Sequence, residues 1–144
     1  MNYTNHIVID EEEINDIINN SFFGDHELFS IYHVINDDIE SAIKDTFFKV
    51  KEIIDKHGGI FLKICKIDEV VGYANVIPSA HVLHSFGIKK SERNADAKNY
   101  LMGVIDSVLG NEIYCNLYCK NTRAVEFLKS YGYVDQQVVT LLKK

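Results

Sequence analysis

One proline in 144 residues and no low-complexity tract leave no sign of a disordered linker. No uninterrupted apolar run is long enough to span a bilayer. The opening Met-Asn-Tyr-Thr-Asn-His has no basic region leading into an apolar core, so no signal peptide is expected and the expected location is cytoplasmic. Positive charge is in deficit: 15 Lys and Arg face 21 Asp and Glu, for a net charge of −6. That is a poor footprint for a phosphate backbone, and neither nucleic acid nor membrane is an expected partner. Cysteine is scarce. Cys65, Cys115 and Cys119 sit inside apolar segments and are expected as buried reduced thiols rather than a disulfide framework. Two nucleotide-binding signatures are missing as well. There is no glycine-rich turn after an early strand and no Gly-x-x-x-x-Gly-Lys-Ser/Thr loop.

What remains is an ordinary globular composition, 47% hydrophobic and 25% charged, of a length that suits one domain over residues 1–144. Ile7 to Ile9 reads as a short first strand. Asp10 to Glu13 places negative charge at a helix start, where it suits the macrodipole, and Ile14, Ile17 and Ile18 give that helix its apolar face. Leu28 to Ile35 is a candidate extended segment. Asp37 or Asp38 caps a second helix, whose apolar positions from Ile39 to Ile54 follow the 3.6-residue period as far as His57-Gly58-Gly59. The rhythm then changes to strands. Ile60 to Ile67 and Val70 to Ile77 flank Asp68-Glu69 as a hairpin, and His81 to Ile88 is a third strand. Lys89 to Lys98 is polar and loop-like. Asn99 to Leu109 is helical, Glu112 to Cys119 is a strand, and Val134 to Leu142 is a last strand. The order predicts an α/β domain with a mixed, mostly antiparallel central sheet flanked by helices.

The most informative stretch runs from Asn121 to Tyr133. Asn121 is a good N-cap. Ala124, Phe127, Leu128 and Tyr131 share a helical face, and Gly132 can take the left-handed conformation that ends a helix. Leu117-Tyr-Cys-Lys-Asn121 leading into Arg123-Ala124 and Gly132-Tyr133 resembles motif B of the GNAT superfamily, the GCN5-related N-acetyltransferases. Val70-Val-Gly-Tyr-Ala74 is similar to that family's second hairpin strand. The resemblance runs in order from about residue 5 to 142 and implies a GNAT-like fold. It further implies acetyl-CoA as acyl donor, an amine as acceptor, and direct transfer in one ternary complex. A homodimer or a protein partner is compatible with it. A weaker resemblance, resting on the same helix, is to GNAT-like proteins of tailed bacteriophages.

The same resemblance assigns site residues. The coenzyme would lie where the strands His81 to Ile88 and Glu112 to Cys119 splay apart, with Phe86, Ile88, Arg93, Asn94, Ala95, Asp96, Ala97, Lys98 and Asn121 on the coenzyme side. The family's loop has the form Arg-Gly-x-Gly-x-Gly/Ala, so that backbone N–H groups can approach a pyrophosphate at a helix N-terminus. Arg93 falls on the loop arginine, but Asn94, Asp96 and Lys98 stand at the small positions, and Asp96 adds a carboxylate near a dianion. Lys89, Lys90, Arg93 and Lys98 are available to offset it. Leu128 holds the place of a tyrosine that many family members use to protonate the departing thiolate. His84, Ser85 and Asn121 are the catalytic candidates. Each has a plain alternative: a histidine satisfied in the core, a strand serine, a helix cap. Strand alternation puts His84 on the face of Val82, Phe86 and Ile88. His81 and His84 point to opposite faces of a strand, and Cys115 with Cys119 has no evident third ligand, so no metal is expected. A catalytically inactive structural or interaction module on the same fold is the competing reading.

Overall fold

Three glutamates open helix α1 (Glu11–Phe23), and Asp10 caps it by accepting from the Glu12 N–H at 3.3 Å. Asp38 caps helix α2 (Ile39–His57) by accepting from the Glu40 N–H, and Gly58 ends that helix at φ 66°, a conformation that glycine adopts without a Cβ penalty. Both helices therefore start at a capping aspartate, and α2 stops at a glycine. The computed structural model describes residues 2–23, 26–29, 38–92, 95–115 and 122–136.

The strands are β1 (Tyr3–Ile7), β2 (His26–Phe29), β3 (Ile60–Lys66), β4 (Glu69–Ile77) and β5 (Val82–Lys89). They form one sheet in the order β1-β3-β4-β5-β2, each neighbour antiparallel. The predicted hairpin is β3–β4. The first strand lies earlier than predicted, because Tyr3 to Ile7 pairs with Leu62 to Lys66 as a largely exposed edge. An edge strand with polar residues carries no alternating apolar signal. Helix α3 (Ala95–Leu109) also starts four residues before the predicted Asn99. The polar run Lys89 to Lys98 reads as a loop by composition, yet Asp96 suits a first helical turn and Ala97 is buried at 2% exposure. Helix α4 (Thr122–Lys129) is the predicted short helix, and Gly132 follows it at φ 92°.

Two apolar layers sandwich the sheet. Helices α1 and α2 cover Phe61 and Tyr73 with Ile14, Ile17, Ile18, Ile43 and Val50. Helices α3 and α4 cover Ile64, Ala74, Val76, Leu83, Phe86 and Ile88 with Leu101, Ile105 and Leu128. Among the described residues no helix is long and apolar enough to cross a membrane. Of the predicted strand Glu112 to Cys119, Tyr114 makes a parallel bridge with Val82, while 116–120 lie outside the described residues. Residues 137–142 of the predicted last strand and 30–35 of the early extended segment also lie outside them.

Candidate functional site

The site is built around a defect in β5. Asn75 pairs with Ser85 and Val76 pairs with Leu83, so His84 has no partner on β4. This is a β-bulge, one extra residue on one strand. Its effect on side-chain direction is visible in the core. Leu83 and Phe86 both bury in the layer under α3, although three residues of regular strand would send them to opposite faces. The extra residue is His84, which is thereby moved to the α2 side, where Lys49 acts on it electrostatically. The expectation from alternation is corrected here: His84 does not share a face with Phe86 and Ile88.

Burial, and then Lys49, pull the His84 pKa down to about 4. The imidazole is therefore neutral at neutral pH. Among the described residues its Nδ1 is buried without a hydrogen-bond partner. Ser85 is fully buried, and so are Tyr73 and Asn75 of β4. Asn75 donates Nδ2–H to the Ile60 carbonyl at 3.1 Å, while among the described residues its Oδ1, the Ser85 Oγ and the Tyr73 hydroxyl have no partner. Burial drives the Tyr73 phenol well above its usual range, and nearby Ser85 opposes that rise without closing a bond of normal geometry. Most buried polar atoms in native proteins are paired. Among the described residues, four such atoms without a protein partner lie on neighbouring positions of β4 and β5. Tyr73 and Asn75 give no sequence signal; their role follows only from the register.

The outer edge of β5 has two occupants. At one end the Leu83 N–H donates to the Tyr114 carbonyl at 2.9 Å, and the Tyr114 N–H donates to the His81 carbonyl at 2.8 Å. At the other end β2 pairs with it from Phe29↔Phe86 to His26↔Lys89. Among the described residues, the stretch between these occupants is His84 and Ser85. The expected open slot beside Phe86 and Ile88 is thus lined by the chain's own strand. Sequence reading placed an extended segment at Leu28 to Ile35 but had no means of assigning its partner.

Phe86 and Ile88 are buried on the α3 side, where the Phe86 ring lies 5.7 Å from that of Phe127 on α4. Lys98 stands 5.7 Å from the Phe127 centroid, within cation–π reach. Tyr131 packs on Phe127 and donates to Asn99 Oδ1 at 2.7 Å, which ties the turn after α4 to α3. Ala95 begins α3 and Asp96 is exposed in its first turn. Lys89 at the end of β5 is held by Glu69 at the start of β4. Ala97, Lys98 and Phe86 are thus brought together between α3, α4 and β5. Arg93, Asn94 and Asn121 lie outside the described residues. Cys65 is a buried free thiol, Cys115 is a free thiol only half-buried where a buried one was expected, and Cys119 lies outside the described residues.

Neither a family model nor a curated protein matches the sequence. Solved structures do match the fold. A possible acetyltransferase from Clostridium difficile 630 superposes with a TM-score of 0.62 over 100% of this chain and 98% of its own, at 13% identity. AAC(6')-Iy, in complex with the bisubstrate analogue CoA-S-monomethyl-acetylneamine, superposes at 0.63 over 100% and 99%, at 11% identity. Spermidine N-acetyltransferase from Vibrio cholerae, in complex with CoA and spermine, superposes at 0.56 over 94% and 83%, at 14% identity. The fold is that of the GNAT acetyltransferases.

Proposed function

We propose that the protein is an acetyl-CoA-dependent N-acyltransferase acting on a small amine. The observation that carries this reading is the fold match over the whole chain, which extends to proteins solved with CoA and with amine-bearing ligands. Supporting it is the unpaired polar cluster beneath the β5 bulge, since polar groups left unsatisfied in a core are retained at a cost and functional sites are where local rules are broken. In the reaction the amine nitrogen attacks the thioester carbonyl. A C–N bond forms, the C–S bond breaks, the nitrogen gives up a proton and the thiolate gains one.

His84 is neutral and able to accept a proton, but its depressed pKa makes it a weak base, because a general base works best near the operating pH. Its part is to take the proton as the amine is lost to acylation, with Ser85 and Asn121 orienting the acceptor. The coenzyme's pyrophosphate belongs at the start of α3, on Arg93, Asn94, Ala95, Asp96, Ala97 and Lys98. The exposed Asp96 carboxylate opposes a dianion there. The pantetheine arm belongs beside Phe86 and Ile88, and it does not fit that edge while β2 is paired there.

That misfit favours a second reading, a GNAT-fold structural or interaction module that has given up catalysis. Isothermal titration with acetyl-CoA, followed by a thiol-release assay over a panel of amines, separates the two. Turnover with any amine establishes the transferase. No heat of binding at millimolar acetyl-CoA defeats it and leaves the module.

A further inference from the structure

The backbone edge of a β-strand is a template for any extended partner that offers amide groups. On β5 that edge is divided. Tyr114 holds it at Val82 and Leu83, and β2 holds it from Phe86 to Lys89. β2 has four residues, is the terminal strand of the sheet, and begins three residues after the end of α1. A short terminal strand held by one neighbour is the least expensive part of a sheet to peel away.

We propose that β2 is an intramolecular occupant of the β5 edge, displaced when an extended, amide-bearing arm of the pantetheine type enters. This rests on the acyl-CoA reading above and adds a regulatory contact to it. Both occupants use the same backbone groups of Phe86 to Lys89, so they exclude each other. Apparent affinity for the incoming arm is then the intrinsic affinity reduced by the fraction of molecules whose edge is free. Anything that draws β2 off the edge activates binding, and anything that holds it there suppresses binding.

The test compares the wild-type protein with a Glu27→Pro/Leu28→Pro variant. Adjacent strand residues aim their N–H groups at opposite edges, so one of the two prolines removes a donor from the β2–β5 ladder. Acetyl-CoA is titrated against both forms, and backbone hydrogen exchange is followed with and without it. If β2 holds the edge nine-tenths of the time, the variant binds acetyl-CoA about tenfold more tightly. Without ligand, Phe86 to Lys89 exchange faster in the variant. In the wild type, saturating acetyl-CoA speeds exchange in residues 26–29 while Phe86 to Lys89 stay protected.

A cooperatively folded variant that binds no tighter than wild type overturns the proposal, with the acyl-CoA reading intact. So does a wild type whose residues 26–29 keep their protection at saturating ligand, a measurement that needs no substitution. If neither form binds acetyl-CoA, the acyl-CoA reading falls and the competition with it.

Discussion

Replacing Tyr73 by phenylalanine should stabilise the protein. The side chain is fully buried, and among the described residues its hydroxyl has no hydrogen-bond partner. The ring contributes separately, stacked on Phe61 at a centroid distance of 5.1 Å and an interplanar angle of 11°, and Phe retains that stack. Desolvating a hydroxyl without giving it a partner costs roughly 1–3 kcal/mol. Removing it recovers part of that cost, less the small void left by one oxygen, so a gain of about 1 kcal/mol is expected. For a domain of this size that is a rise in Tm of about 3 °C. Urea and thermal unfolding of wild type, Tyr73→Phe, Ser85→Ala and the double variant give the answer. Because the two hydroxyls make no bond to each other, their coupling energy should fall within about 0.5 kcal/mol of zero. A Tyr73→Phe protein less stable than wild type by more than about 1 kcal/mol, or a coupling above that size, would show that the two hydroxyls are bonded. The argument that they are held unsatisfied for function would then fail.

Other consequences are equally direct. Burial holds the His84 pKa in the folded protein at about 4, below the ordinary histidine value of 6.5. The unfolded chain therefore binds the proton first, and stability should fall as pH drops from about 6.5 toward about 4. His84→Gln should flatten that loss in urea titrations above and below the window; an unchanged pH slope in the variant would refute the assignment. A Cβ on Gly72 would meet the Gly87 carbonyl oxygen at 2.7 Å, so Gly72→Ala should prise β4 from β5 at a cost of about 1–3 kcal/mol, and a variant as stable as wild type in urea counts against that close approach. Burial pushes the Cys115 thiol up to about 12. Maleimide should label it slowly in the native state and fully in denaturant, as read by peptide mass, and rapid native labelling would place it at the surface.

How much of this was legible in the chain depended on whether a feature is local. The acidic start of α1, a cap at Asp37 or Asp38 (the structure uses Asp38), the stop at Gly58, the β3–β4 hairpin and the glycine-terminated helix α4 are all written within a few residues, and the structure has each of them. Composition misled where a polar run joins a helix, because Asp96 and Lys98 read as loop while Ala97 anchors the first turn of α3 in the core. The fold class followed from element order and from the motif B resemblance together.

The chemistry of the site was less legible, because it is set by pairing. A bulge is one residue of mismatch between two strands. Nothing in Val82 to Lys89 alone states that Leu83 and Phe86 share a face, yet that single slip turns His84 away from Phe86 and toward Lys49. It also sets Ser85 opposite Asn75 and near the hydroxyl of Tyr73. Periodicity finds residues that alternate, and a bulge is the place where alternation stops. The β2 contact escapes for a related reason: an edge is chosen by what else competes for it, and the extended segment expected from Leu28 to Ile35 shares only Leu28 and Phe29 with β2 and names no neighbour. The two features meet on one strand, the bulge at His84 and the occupied edge from Phe86 onward. On the transferase reading proposed above, acceptor chemistry and access of the acyl donor fall to adjacent residues of β5, and that reading expects a change in the pairing of one end to be felt at the other.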